Sequence, residues 1–239
     1  MKIRFLGVGA ALNTINIGSS ILVDETILID APPAIPAMLL RYNINIENIS
    51  HVFISHLHGD HYFGFPFLLL EYMITKRNDY LNVFGSKSLR NNTIELLRLS
   101  FPESDPEKLI AYSKSIFNEL KIGNSINVGS YNIIPVSAKH SIETFGFRFE
   151  RHNSIVFYSS DTEMTKSTYT NINDADIIIV DATTRGVALQ GHIDLEEIIK
   201  CAKQNEKKMF YIMHRSNYSF KDVKVPNIVF PNDGDEFNV

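Results

Sequence analysis

Three histidines and an aspartate fall within one short run of this chain, Ser55-His56-Leu57-His58-Gly59-Asp60-His61. His56 and His58, two apart in an extended segment, point the same way and can chelate one cation. Asp60 and His61 come after Gly59, which permits a sharp turn, and can face a second cation beside the first. Imidazole with carboxylate and no thiolate suits Zn²⁺, Mn²⁺ or Fe. A polar surface loop would use the same residue types. Phe-Ile-Ser on one side and Tyr-Phe-Gly-Phe on the other are unsuited to a solvated tail.

The elements around this run repeat one design. Six strand-like stretches each deliver an Asp or His just past their C-terminal end: residues 26–29 lead to Asp30, 51–55 to His56, 133–139 to His140, 155–160 to Asp161, 177–180 to Asp181 and 209–213 to His214. One such acid is ordinarily a turn or cap residue, but six together point to a site built on strand ends, where α/β folds place their chemistry. Further strands are expected at residues 3–6, 20–23, 81–84, 125–128, 131–136, 144–149 and 227–230. Helices are expected at 35–42, 64–75, 87–99, 107–118 and 195–205, with a loop at 100–106. Hairpins mixed with helices predict an α/β protein with mixed sheets. No linker or repeat divides the chain, so residues 1–239 are read as a single domain. The 64–75 helix is apolar nearly all round, which calls for cover on every side. A second copy in a homodimer is the expected cover, and residues 100–118 of the same chain are the alternative.

Composition narrows the function classes. The 239 residues carry a formal charge of −4, with 44% hydrophobic and 21% charged residues. A chain that lives on nucleic acid needs a basic face, which this balance argues against. Cys201 is the only cysteine, which excludes an internal disulfide and a thiolate-rich metal cluster. No apolar run approaches the roughly 20 residues that span a bilayer. Lys2 and Arg4 before an apolar stretch imitate a short leader, but two glycines interrupt it and no clean cleavage site follows. The expected setting is the cytoplasm.

The motif His56-x-His58-x-Asp60-His61, with His140, Asp161 and His214 following in order, resembles the metallo-β-lactamase-fold hydrolases over essentially the whole chain. Within them it is similar to the tRNase Z-like branch, which includes phosphodiesterases acting on small substrates. Tyr158-Ser159-Ser160-Asp161-Thr162, Asp181-Ala182-Thr183 and Gly191-His192 support that placement. The resemblance implies a four-layer αββα sandwich of two mixed sheets. It assigns His56, His58 and His140 to a first metal and Asp60, His61 and His214 to a second, with Asp161 bridging. Asp30 matches an aspartate that orders the metal loop, while Asp181 and His192 match an acid–histidine pair with His192 as general acid. RNA-processing members usually have Glu at the position of Asp181, and a small hydroxyl residue after the histidine where this chain has Ile193.

Two cations roughly 3.5–4 Å apart can hold a bridging hydroxide and clamp a phosphoryl oxygen. Asp60 can orient that nucleophile. The leading expectation is hydrolysis of a small phosphodiester, with a cyclic nucleotide as first choice and two Zn ions, or Mn or Fe, as cofactors. A tRNA 3′-processing endonuclease, a lactone or thioester hydrolase and a catalytically silent metal-binding protein are the alternatives on one scaffold. The seven intact ligand positions argue against silence. Bacterial tRNA-processing members carry an RNA-gripping arm between the positions of His140 and Asp161. Here only residues 141–160 lie there, mostly as two strands turning at His152-Asn153, and no stable nucleic-acid partner is expected. Among the weaker candidates, Arg185 and Arg215 can meet phosphate, and Tyr62 and Phe63 can stack on a base or pack in the core. His51, His152 and Cys201 read as structural.

Overall fold

The computed structural model describes residues 1–75 and 78–239. They group into two compact units, Met1–Gly7 with Gly18–Leu120 and Gly234–Val239, and Val8–Ile17 with Lys121–Asp233.

In the first unit β1 (Lys2–Gly7), β2 (Ser20–Val23), β3 (Ile27–Ile29), β4 (His51–Phe53), β5 (Leu81–Gly85), β6 (Ser115–Glu119) and β14 (Glu236–Asn238) form one sheet, ordered β14-β1-β2-β3-β4-β5-β6. Pairing is antiparallel from β14 to β3 and parallel from β3 to β6. β2 and β3 are buried along their whole length, which is why they read as unbroken Ile/Leu/Val runs and not as an alternation. The parallel strands are joined through α1 (Ile35–Arg41), α2 (Gly59–Tyr62), α3 (Phe65–Ile74), α4 (Leu89–Ser100) and α5 (Pro106–Tyr112). A Cβ on Gly64, at the start of α3, would stand 2.0 Å from the Pro32 carbonyl oxygen, so only glycine lets the helix begin so close to the end of β3.

One expectation changes here. The helix expected over 107–118 stops at Tyr112, where Ser113 turns its hydroxyl onto the Ile110 carbonyl and Lys114 takes left-handed backbone at φ 52°. Residues 115–119 then form β6, a parallel edge partner of β5. On α3, Phe65, Pro66, Leu68, Leu69 and Tyr72 are buried, and α4 and α5 pack against it, with Phe67 edge-on to Phe101 at 5.7 Å. The same chain thus covers much of this helix and leaves Phe67 and Ile74 exposed.

The second unit repeats the plan. β7 (Ile126–Val128), β8 (Tyr131–Ser137), β9 (Phe145–Arg151), β10 (Ser154–Tyr158), β11 (Ile177–Asp181), β12 (Met209–Met213) and β13 (Ile228–Val229) form a sheet in the order β13-β12-β11-β10-β9-β8-β7. It is antiparallel from β7 to β10 and parallel from β10 to β13. β9 and β10 turn at His152, whose φ is 54°, as the His152-Asn153 reading expects. α7 (Leu195–Gln204) starts on the Asp194 side chain, which accepts from the Glu196 N–H, and buries Leu195, Ile198, Ile199 and Ala202 along one stripe.

α6 (Lys166–Asp174) is not foreseen by the sequence reading. Its residues are polar and β-branched, and only Thr168 and Ile172 are buried. Caps hold it instead: Thr165 accepts from the Thr168 N–H at 3.1 Å, and the Lys208 ammonium donates to the carbonyls of Ile172, Asn173 and Ala175 at the other end. No helix among the described residues is long and apolar enough to cross a membrane.

Candidate metal-binding residues

In the first unit the chemistry sits after β3 and β4. Asp30, fully buried with φ 61°, follows β3. Its Oδ1 accepts the Ser55 N–H at 2.7 Å, and its Oδ2 accepts the Ser55 hydroxyl at 2.7 Å and His61 Nδ1 at 2.8 Å. Because the Ser55 proton goes to Asp30, the Ser55 oxygen accepts from His56 Nδ1, 3.0 Å away. One carboxylate therefore fixes both rings with the proton on Nδ1, and Nε2 is the atom each offers to an ion. The His56 ring lies 4.8 Å from that of His58 and 4.1 Å from that of His61, centre to centre, and Asp60 Oδ2 stands 3.6 Å from His61 Nε2. These four residues are brought together as the spacing requires. Gly59 serves a different purpose from the one expected. It opens α2 with ordinary backbone and lies against the Phe63 ring, where a Cβ would come within 3.0 Å.

In the second unit the strand ends converge in the same way. Asp161 follows β10 and is buried; its Oδ2 lies 3.3 Å from His214 Nε2 and 4.0 Å from His140 Nε2. Asp161, Asp181, His192 and His214 offer donor atoms that all lie within 4.8 Å of one another. Thr183 joins this group. Its hydroxyl donates to Asp181 Oδ1 at 2.6 Å, so its oxygen accepts from His214 Nδ1 at 2.7 Å. His192 Nδ1 lies 3.0 Å from Asp181 Oδ2 and 2.9 Å from the Thr183 oxygen, and its ring stacks on that of His214 at 5.3 Å. His140 donates from Nδ1 to the Gly191 carbonyl at 2.9 Å. Two residues here hold left-handed backbone without being glycine, Ser160 (φ 53°) and His214 (φ 49°). The Ser160 hydroxyl is buried with no hydrogen-bond partner.

The donors fit a divalent cation. Imidazole and carboxylate groups make up the set, and the Nδ1 atoms of His56, His61, His140 and His214 are each engaged by a protein oxygen, the arrangement that presents Nε2 to a metal. Ser55 and Thr183 bond to the candidate ligands His56 and His214, and the sequence assigns neither of them a role. Each lies in one of the sequence motifs, as a hydroxyl one or two positions from a strand-end ligand or acid, without its bonding partner being evident there.

A cavity of about 550 Å³ opens beside His192, lined by Glu163, Met164, Val187, Leu189, Asp194 and Glu197 among others. The Lys139 ammonium and the Gly191 N–H hold the Glu163 carboxyl below the usual range. Other candidates are committed elsewhere. Arg185 pairs with Asp222 and Glu196, and that pairing draws the Asp222 carboxyl down to about 2. Arg215 is buried over the Phe220 and Phe230 rings and donates to the Pro231 carbonyl. Tyr62 is core, its hydroxyl bonded to Thr93 and its pKa raised by burial, while Phe63 is half exposed.

Known proteins can be set beside this geometry. Ribonuclease BN of Citrobacter koseri is 31% identical over 127 residues, 53% of this chain and 39% of its own length. Ribonuclease Z of Listeria welshimeri is 30% identical over 155 residues, 62% of this chain and 48% of its own. The chain thus spans about half the length or less of these two curated relatives. The metallo-β-lactamase fold protein YhfI from Bacillus subtilis superimposes with a TM-score of 0.80 at 16% identity, over 99% of this chain and 98% of that one. That likeness shows the α/β class expected from the sequence, the αββα metallo-β-lactamase fold. The profile of the family described as Anti-Pycsar protein Apyc1 matches residues 1–229. On the length of that match the chain belongs to the Anti-Pycsar protein Apyc1 family, a member of the tRNase Z-like branch of the metallo-β-lactamase fold.

Proposed function

We propose that this chain is a metal-dependent hydrolase of a small phosphodiester, with a cyclic nucleotide as the first substrate to test, and that residues 1–239 act as one domain in the cytoplasm. His56, His58 and His140 hold one divalent ion, Asp60, His61 and His214 a second, and Asp161 bridges; zinc is the first choice and Mn or Fe the others. When bound, such ions activate water near neutral pH and neutralise charge on a phosphoryl oxygen. Asp60 orients the attacking water. Asp181 and Thr183 hold His192 by Nδ1, so the opposite ring nitrogen is the end that hands a proton to the departing oxygen.

The cavity beside His192 carries the choice of a small substrate. Asp194 and Glu197 make the cavity unfavourable to a chain of phosphates, Glu163 being paired with Lys139, while Met164, Val187 and Leu189 offer an apolar wall to a base. Support also comes from the interval between His140 and Asp161, where β9, β10 and their tight turn leave no arm for gripping RNA. The test is a panel of cyclic nucleotides, pre-tRNA, a lactone and bis(p-nitrophenyl) phosphate with metal-loaded protein. Turnover of a cyclic nucleotide with slow or absent pre-tRNA cleavage is the expected result. Efficient 3′ trimming of pre-tRNA would replace this reading with that of the ribonuclease Z relatives, and lactone turnover alone would exclude a phosphodiesterase.

We also propose a homodimer. Phe63, Phe67 and Ile74, on and just before α3, remain exposed after α4 and α5 have packed there, and a second copy would cover them. Light scattering at micromolar concentration is expected to give about twice the chain mass of 27.2 kDa. A monomer under those conditions removes the dimer from the reading.

A further inference from the structure

Glu163 stands two residues beyond Asp161 and is held to the neighbourhood of His140 from both sides. Its N–H donates to the Lys139 carbonyl at 3.0 Å, and the Lys139 ammonium pairs with its Oε2. The Lys139 N–H in turn donates to the Thr162 hydroxyl at 2.9 Å. Glu163 Oε1 then accepts the Gly191 N–H at 3.1 Å, and the Gly191 carbonyl accepts His140 Nδ1 at 2.9 Å. The circuit closes on the residue next to its start. Gly191 alone fits the middle of it: its φ is 83°, and a Cβ would stand 2.5 Å from His140 Nδ1.

The need for such an anchor is local. Residues 186–190 are exposed, and the chain becomes buried again at Gly191. At the far end of this loop the Val187 N–H is fixed on Asp194 Oδ2 at 3.0 Å, and at the near end the Gly191 N–H is fixed on Glu163. The carbonyl facing His140 belongs to the next peptide, whose N–H, on His192, donates at 3.1 Å to the Leu189 carbonyl within the exposed loop, so the Glu163 bond ties the Gly191 backbone to a residue outside that loop. A histidine whose Nδ1 proton has no steady acceptor is less well oriented and less basic at Nε2.

We propose that Glu163 is a positioning residue, which orients the ligand His140 by pinning the Gly191 N–H and, through the Gly191 Cα, the carbonyl that His140 uses; this rests on the reading that His140 binds an ion. Three substitutions separate reach from charge. Glu163→Ala removes both bonds. Glu163→Asp keeps the charge but is one methylene too short to reach Gly191. Glu163→Gln keeps an acceptor for the Gly191 N–H and gives up the charge opposite Lys139.

The experiment titrates Zn²⁺ into chelator-stripped full-length protein by calorimetry, with the visible spectrum of Co²⁺ as a second report on ligand geometry and a thermal melt as a control. Glu163→Ala and Glu163→Asp are expected to weaken one of the ions by about tenfold or more and to alter the Co²⁺ spectrum. Glu163→Gln is expected to restore most of the affinity. Wild-type affinity and spectrum in the Ala and Asp variants would overturn the assignment, as would a Gln variant as weak as Ala. If Glu163→Ala does not fold, the Asp and Gln pair decides. Wild-type protein that takes up no ion would sink the metal reading itself, whereas normal wild-type uptake with unaltered variants sinks only the role of Glu163.

Discussion

Asp161→Ala is expected to abolish turnover of bis(p-nitrophenyl) phosphate to at least about a thousandfold below wild type, equivalent to roughly 4 kcal/mol of lost transition-state stabilisation. It should leave no more than one ion per chain by elemental analysis. Asp161 is the residue assigned to both ions, and its Oδ2 already faces His214 and His140 within the second unit. Removing it takes a carboxylate from between two histidines while the sheet pairing of β10 with β9 and β11 is unaffected, so the circular dichroism spectrum should not change. A variant that keeps two ions and most of its activity would end the bridging assignment. Wild-type protein that never exceeds one ion when loaded with Zn²⁺ or Mn²⁺ would end the dinuclear one.

Asp30→Ala should lose activity and stability together. The carboxylate accepts from the Ser55 N–H, the Ser55 hydroxyl and His61 Nδ1, all in a fully buried position. Alanine leaves three donors without their acceptor, at about 1–3 kcal/mol for each that cannot find another. A loss of about 3–5 kcal/mol in urea denaturation is the expected outcome. His61 loses its Nδ1 acceptor, and His56 loses the bond that turns the Ser55 oxygen toward it, so metal affinity should fall by about 10–100-fold. Asp30→Asn should be milder in stability but still poor in metal binding, since its amide places donors against donors. Unchanged zinc affinity in Asp30→Ala would mean that His61 needs no carboxylate to orient it and that Ser55 alone suffices for His56.

The strand-end acids and histidines were legible because each follows an apolar run that can only be a buried strand, and a strand has a definite end. Asp30, Asp161, Asp181 and His214 stand at or just past such ends. The bonds of Thr183 to His214 and of Glu163 to Gly191 were not legible, because those contacts exist only once residues 183–192 have folded back across the strand ends. The 115–119 segment was misread for a related reason. A short edge strand with both faces partly exposed has no strong period of its own, and the preceding α5 sets a helical rhythm that Lys114 breaks only through its backbone. α6 escaped notice because caps, and not an apolar stripe, hold it together. Arg185 and Arg215 show that a cation after a strand-end acid or histidine can be engaged by neighbouring carboxylates, carbonyls and rings.

Ser160 leaves the chain with unused thermodynamic headroom. It combines left-handed backbone, at about 1–2 kcal/mol for a residue with a Cβ, with a buried hydroxyl that finds no partner. Glycine would remove both penalties against a backbone-entropy cost of about 0.5–1 kcal/mol, yet the chain retains serine directly before Asp161. Natural sequences drift at a threshold of sufficient stability and rarely reach the maximum. The position is therefore a reservoir from which later substitutions elsewhere in the protein can be tolerated: one replacement here would offset a typical destabilising change of about 1 kcal/mol at a distant position.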